Sequence, residues 1–396
     1  MMTDTVITDL AIDKSKWKPV QLGDVVDESR EVVRDPVKEG IERVVGLEHI
    51  DSESIHLRRW DTLAQSTTFT KKFTKGQVLF GRRRAYLKKA ALSTFDGICS
   101  GDITVLQAKR DLMPELLPFL INNDKFFDYA VKNSAGSLSP RAKFKDLANY
   151  ELLLPPKDQQ ARLAELLWAA DQTIEALNIQ WSKINRVFES VIAELCFNLH
   201  DFKTFRLAQL IHKLESGVSV NSEDADVSDR DIGILKTSSV SYGRFQPAEA
   251  KKVRKDELAR LKTPVKGNSI IISRMNTSEL VGANAYVDRD FDHLYLPDRL
   301  WQTVITTDLV NVKYLSYILS SRKYRRMISD LCSGTSNSMK NISQKDFLNL
   351  EINLPARRLQ NEAVKKIEVT EELLTANKNH VAFSKELQNS LINQIF

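Results

Sequence analysis

The chain has 396 residues, of which 42% are apolar and 28% charged, a balance that fits folded globular domains and excludes disordered and fibrous architectures. Lys and Arg total 57 against 52 Asp and Glu, a formal charge of +5 that permits an anionic partner without requiring one. At roughly 100–200 residues per domain, this length calls for several domains rather than one core.

The N-terminus carries Asp4, Asp9 and Asp13 and has no apolar segment behind a basic start, so no secretory signal is expected. Cys99, Cys196 and Cys332 lie far apart with no CxxC pair, which signals neither disulfides nor a thiolate metal site and fits a reducing compartment. The richest mid-chain apolar stretch, 163–170, is broken by Glu165, and nothing approaches about 18 uncharged apolar residues. A soluble, cytoplasmic protein with no membrane association is expected.

In chain order the sequence reads twice. Val20-Gln21-Leu22-Gly23-Asp24 opens one globular segment, and Phe205-Arg206-Leu207-Ala208-Gln209 opens another. Lys75-Gly76-Gln77-Val78-Leu79-Phe80 is answered by Lys266-Gly267-Asn268-Ser269-Ile270-Ile271, each a turn followed by an apolar run of strand length. These runs end in Arg82 and Arg274. The Gly/Ser loop at 134–139 recurs at 332–337, and each is followed by a strand-like segment closed by Leu-Pro, at Leu154-Pro155 and Leu354-Pro355. A period of about two hundred residues is too long for a solenoid and implies a duplicated unit, globular domain then helix. The expected class is α/β (α+β), with bodies at 1–157 and 201–355 and long helices at 158–200 and 356–396.

From Leu163 the apolar positions are Leu163, Leu167, Ala170, Ile174, Leu177, Trp181, Ile184, Phe188, Val191 and Leu195, stepping by four and three. That spacing keeps one seam toward a partner helix. The second helix offers Ile367, Leu373, Leu374, Ala376, Val381, Phe383, Leu387 and Leu391, interrupted by Asn377 and His380. The two helices are expected to pair as an antiparallel coiled coil, the alternative being that each is a core helix of its own domain.

Between 71 and 89 stand Lys71, Lys72, Lys75, Arg82, Arg83, Arg84, Lys88 and Lys89 without one acidic residue, and Tyr86 lies among them. Lys and Arg gain affinity for a polyanion by releasing its counterions, and an Arg fork matches guanine O6 and N7. The second half presents Arg274 and Asn276 at the matching strand end and a polar cluster with Lys236, Ser239 and Tyr242. The Gly/Ser loops, through Ser137 and Thr335, offer donors for phosphate oxygens. The basic stretch Arg322, Lys323, Tyr324, Arg325, Arg326 reads as one helix face that holds phosphates. A solvated basic face and plain turns are the competing readings of these features.

Catalytic chemistry is thinly represented. No Gly precedes Lys, which excludes a GxxxxGK[ST] phosphate loop, and the six histidines show no metal-ligand spacing. Asp102, Gln107 and Lys109 only loosely imitate a nuclease arrangement, and Pro155-Pro156 lacks the flanking residues of an amino-methylating site. No catalytic residue, metal or cofactor is expected on this chain.

The paired domain openings, the Gly/Ser loops, and Leu153-Leu154-Pro155-Pro156 with Gln159-Gln160 before the long helix resemble the DNA-specificity subunit of type I restriction-modification enzymes over nearly the whole chain. The second copy, Leu354-Pro355 with Gln360, departs by having Ala356-Arg357 after the proline. The resemblance implies two target-recognition domains, each reading half of a split double-stranded DNA sequence, with helices that set their separation. It also implies two methyltransferase subunits carrying S-adenosylmethionine, and ATP- and Mg2+-dependent restriction/translocase subunits. The alternative is a non-catalytic coiled-coil scaffold that binds protein or RNA.

Overall fold

A computed structural model describes residues 12–63, 68–136, 139–198, 201–228, 230–241, 243–333 and 339–396. The apolar runs that follow each turn become central strands. In Val78–Gly81 all four residues are buried, and in Ser269–Ser273 all five are. Because successive side chains point to opposite faces, one strand serves two cores. Val78 and Phe80 face the core that includes the helices, whereas Leu79 faces a second core with Val45, Phe73 and Val105. Ile270 and Ile272 are separated from Ile271 in the same way.

The chain forms two compact units, 1–179 with 378–396, and 180–377. In the first unit Lys18–Gln21 pairs antiparallel with Glu151–Leu154, joining the start of the domain to its end. An antiparallel sheet runs Val26–Ser29, Ile103–Ala108, Val78–Gly81, Ala90–Leu92. A second runs Asp61–Thr62, Arg43–Val45, Gly97–Cys99, Lys71–Phe73, with its central pair parallel. The second unit repeats this plan. Lys203–Arg206 pairs with Glu351–Leu354, one sheet runs Lys213–Ser216, Leu300–Val304, Ser269–Ser273, Asn284–Val287, and a five-stranded sheet contains the parallel pair Gly233–Leu235 and Phe291–Tyr295. Helices Asp124–Lys132 and Arg322–Asp330 are capped by Asn123 and Ser321, whose side chains accept the N–H three residues on.

The turn before each central strand matches one residue later than the sequence reading aligned it. Gly76 has φ +91°, and the left-handed residue of the second turn is Asn268, φ 49°, not Gly267. The N–H groups of Lys75 and Gly267 donate to the carboxylates of Asp96 and Asp290, at 2.7 and 2.8 Å. Gly267 is needed for another reason: a Cβ there would lie 2.6 Å from Arg289 Cα.

Each domain passes into a long helix, Lys157–Phe197 and Arg357–Ile395, of 41 and 39 residues, or about 60 Å at 1.5 Å per residue. Each unit contains the opening part of one long helix and the closing part of the other, which is how antiparallel helices pair. In the first unit Leu391, Ile392, Ile395 and Phe396 enter the core that holds Trp17, Leu22 and Leu167. Lys14 Nζ donates to the carbonyls of Gln394 and Ile395, at 2.7 and 3.1 Å.

The seam differs from the predicted one. Gln160, Leu167 and Ile174 are buried and Phe188 and Leu195 half-buried, but the other column of the heptad runs through Ala164, Asp171, Asn178, Asn185 and Ile192. Leu163, Leu177 and Ile184, one residue away, are half-buried on its flank. Trp181 is 39% exposed, because the apolar core of the second unit begins only at Phe188. In the C-terminal helix the inward positions are Ala363, Ile367, Thr370, Leu374, Asn377, Val381, Ser384, Gln388, Leu391 and Ile395, all buried or half-buried. Leu373 is 56% exposed and belongs to a separate outer stripe with Val369, Ala376, His380 and Phe383, while Leu387 is half-buried against the first core. Polar residues at seam positions hid this register, since a search for apolar spacing slides onto the neighbouring leucines.

Both helix starts are locked by a buried amide. Gln160 Oε1 accepts the Met113 N–H at 2.8 Å, and its Nε2 donates to the carbonyls of Asp111 and Pro155 at 3.0 and 2.9 Å. Gln360 does the same with Asn311 N–H, Leu309 O and Pro355 O at 2.8, 2.9 and 2.9 Å. The Ala356-Arg357 departure leaves this geometry intact. Clasps lie one or more turns further along. His56 Nε2 meets both Asp171 oxygens at 3.0 and 2.9 Å, and Arg58 pairs with Glu175 at 2.6 Å. In the second unit Arg244 meets Glu371 at 3.2 Å and also bonds Thr375. Replacing Gln160 or Gln360 by Ala leaves one N–H and two carbonyls without their partner, and each change should destabilise its own unit by about 1–3 kcal/mol. Urea unfolding followed separately in the two units, with hydrogen exchange as the reporter, checks this.

Candidate nucleic-acid interface

The arginine that ends each central strand sits in the same backbone frame. The Arg82 N–H donates to Asp102 O at 3.0 Å, and the Arg82 carbonyl accepts from Ala142 N at 2.9 Å. In the second unit the Arg274 N–H donates to Arg299 O at 3.0 Å, and its carbonyl accepts from Ile342 N at 3.1 Å. The strand end is thereby joined to the segment after the Gly/Ser loop. Arg83 forms a bridge with Arg141, and Met275–Asn276 pairs with Lys340–Asn341. Two features that lie far apart in the sequence meet at one place in each unit.

In the first unit a carboxylate organises this junction. Asp102 Oδ1 accepts from Arg141 Nε at 2.7 Å, and Oδ2 accepts from Arg83 Nη1 at 3.3 Å. Arg83 Nη2 donates to Ser139 Oγ at 3.0 Å. Burial acts to raise the Asp102 pKa, but the hydrogen bonds and charges of Arg141 and Arg83 outweigh it and hold the carboxyl below its ordinary value. The Nε atoms of Arg82 and Arg83 are buried and have no hydrogen-bond partner. Beyond them Arg84 and Lys88 take left-handed φ values of 55° and 46° on either side of the turn Ala85–Leu87. Such angles are costly for residues with a Cβ, and Arg84 N–H donating to Pro140 O at 2.9 Å helps hold the turn. Arg84 is exposed and Tyr86 is 56% exposed.

The basic run between 71 and 89 does not form one patch. Lys71 Nζ donates to Ile103 O and Lys89 Nζ to Leu47 O, both at 2.7 Å. Lys88 Nζ lies between Asp124 at 2.6 Å and Glu53 at 3.4 Å, and Lys72 pairs with Glu39 at 3.8 Å. Alternation along strands and the tight turn disperse these side chains, leaving Arg82, Arg83 and Arg84 beside Arg141. Sequence reading missed Arg141; its signal is a basic residue just after the Gly/Ser loop.

In the second unit Arg274 Nε donates to Asp298 O at 2.6 Å. Asn276 Nδ2 donates to Ser273 Oγ at 3.3 Å and its Oδ1 accepts the Thr277 N–H at 2.9 Å. Lys236 Nζ stands 4.0 Å from Glu249. Ser239 cannot touch a duplex as predicted: it is fully buried within the turn Thr237–Val240, whose Val240 plugs the core. Arg325 is also withdrawn, donating to Val281 O at 2.6 Å and Glu279 O at 2.7 Å, so the exposed cations of that helix are Arg322, Lys323 and Arg326. Ser137, Tyr242 and Thr335 lie outside the described residues. Among the described residues no group of three or more His, Cys, Asp or Glu could hold a metal ion, and no helix is long and apolar enough to cross a membrane.

The family model for the type I restriction modification DNA specificity domain matches twice, over residues 14–186 and 200–382. The chain belongs to this family. Over 95% of its length it is 20% identical to the type I restriction enzyme MjaVIII specificity subunit of Methanocaldococcus jannaschii, covering 91% of that subunit. It is 29% identical over 37% of its length to the EcoDI specificity subunit of Escherichia coli, of which the match spans 34%. The fold is that of solved specificity subunits. The S subunit of a type I restriction-modification system from M. genitalium has a TM-score of 0.56 at 13% identity, with 96% of each chain covered. A structure from work on complex assembly and conformational transition of the type I R-M system has a TM-score of 0.55 at 20% identity, with 96% of this chain and 97% of that one covered. As a specificity subunit the chain recognises DNA and is the non-catalytic component of its enzyme.

The lowered Asp102 pKa sets a pH window. A carboxyl whose folded pKa lies below its unfolded value of about 3.9 stabilises the fold fully above that value and loses the contribution as pH falls through the folded pKa. The stability difference between wild type and Asp102→Asn should therefore be constant from neutral pH down to about pH 5 and shrink only in stronger acid. Thermal unfolding of both proteins across that range checks the window.

Proposed function

We propose that the chain reads a two-part double-stranded DNA target, one part through each target-recognition domain, 1–157 and 201–355, and carries the enzyme's other subunits. The observation that supports this reading best is the repeated frame around Arg82 and Arg274, which gives each domain the same strand-end platform with different side chains. A common scaffold with separate side-chain sets is what two different half-sites require. Contacts in the first domain come from Arg82, Arg83, Arg84 and Tyr86, and in the second from Arg274 and Asn276. Lys71, Lys72, Lys88, Lys89 and Lys236 contribute positive potential more than direct contacts, given the partners that hold them.

The long helices act as the spacer between half-sites, so lengthening both lengthens the gap. The partners are two methyltransferase subunits with S-adenosylmethionine and restriction/translocase subunits that use ATP and Mg2+, in the cytoplasm. The outer stripe Val369, Leu373, Ala376, His380 and Phe383 of the C-terminal helix, with Val369, Leu373 and Phe383 61%, 56% and 47% exposed, suits a partner's helix because it repeats at heptad spacing.

Two experiments test this. Exchanging residues 1–155 for those of a relative with a different target should alter one half of the methylated sequence and leave the other half and the gap unchanged; alteration of both halves rejects the modular reading. Leu373→Asp with Phe383→Asp should leave the unfolding midpoint near wild type while weakening co-purification of the methyltransferase subunit by at least about tenfold. Unchanged co-purification removes that stripe from the assembly surface.

A further inference from the structure

Asp102 was singled out in the sequence as part of a nuclease-like triplet, but the triplet does not converge. Gln107 Oε1 accepts from Gln77 Nε2 at 2.9 Å, and Lys109 is turned to the Gly23 carbonyl and to Asp27 at 3.3 Å. The Asp102 carboxylate instead lies between two guanidinium groups, one from the strand end and one from beyond the Gly/Ser loop. Its side chain is 20% exposed, against 39% for Arg83 and 44% for Arg141, so the carboxylate is on the inner side and the cations on the outer. Two guanidiniums against one carboxylate leave the junction positive.

The two arginines are held differently. Arg83 is engaged through both terminal nitrogens, by Asp102 and Ser139. Arg141 is hydrogen-bonded through Nε, and among the described residues its terminal Nη pair has no hydrogen-bond partner. An arginine fixed at Nε by a carboxylate presents that pair in one plane, the geometry that matches O6 and N7 of guanine. The strand frame itself uses the Asp102 backbone carbonyl, not its side chain.

We infer that Asp102 is a positioning residue that aims Arg141 at a guanine in the half-site read by the first domain. The inference rests on the proposed reading of one half-site per domain. It applies to one half-site because the second unit is built otherwise: Arg299 occupies the place of Asp102 in the backbone frame, Asn341 that of Arg141, and the Asp298 carbonyl holds the Arg274 side chain.

The test uses the full chain and a library of duplexes with randomised sequence, from which bound molecules are recovered and sequenced. Asp102→Asn and Arg141→Gln should each lower the preference for guanine at the same single position by roughly tenfold and leave all other positions unchanged. The double variant should be no worse than Arg141→Gln alone, because Asp102 acts through Arg141. The inference is overturned if Asp102→Asn keeps the wild-type profile, if the two losses add, or if either change weakens all sequences evenly as loss of a phosphate anchor would. If Asp102→Asn does not unfold cooperatively, Arg141→Gln decides alone, and a wild-type profile from that variant overturns the proposal. A wild-type profile showing one uninterrupted motif would reject the two-part reading, yet the comparison at the position controlled by Arg141 would still stand or fall separately.

Discussion

The interaction on which the rest depends is the buried amide at each helix start. Gln160 and Gln360 are 1% and 0% exposed, and each joins two carbonyls and one N–H. Three directed bonds within one side chain fix how the helix leaves the domain it follows. The clasps further along, at Asp171 and Glu175 in one unit and Glu371 and Thr375 in the other, use residues two hundred positions apart on the same face of their helices. A domain that recognises DNA is useful in this architecture only if its orientation on the helix is fixed, and these contacts supply that orientation.

On that frame the recognition surface follows from strand geometry. One central strand divides its side chains between two cores, which makes its position rigid, and its end delivers an arginine beside a loop that returns from the helices. The scaffold is shared, whereas the chemistry at its tip is not: Arg83, Asp102 and Arg141 in one unit, Met275, Asn276 and Asn341 in the other. The two domains thus share a backbone frame and differ in the side chains at its end.

Much of this was legible in the sequence because the duplication preserves order. The paired openings, the strand-ending arginines and the Leu-Pro closures are all local signals, and each occupies the same place in both units. The helix seam was half legible. The column through Leu167, Ile174 and Phe188 is apolar and visible, but the other includes Asp171, Asn178 and Asn185, polar residues that apolar spacing passes over, and Asp171 is held by His56 from another part of the fold. Asp102 illustrates the harder limit. Its meaning comes from Arg141, 39 residues away, and no local pattern joins them. Ser239 failed for the opposite reason: a serine suited to a polar contact is enclosed by a turn whose burial comes from Val240 and the sheet beneath it.

The last turns of the C-terminal helix complete the core of the first unit, through Leu391, Ile392, Ile395 and Phe396. During translation the N-terminal body therefore emerges with an apolar cleft that stays open until residues 391–396 have been made. The intervening body can close first, so maturation runs from the middle outward. Loss of Leu391, Ile392 and Ile395 would open the core made mostly by the first part of the sequence and spare the core of the second unit, which does not contain them.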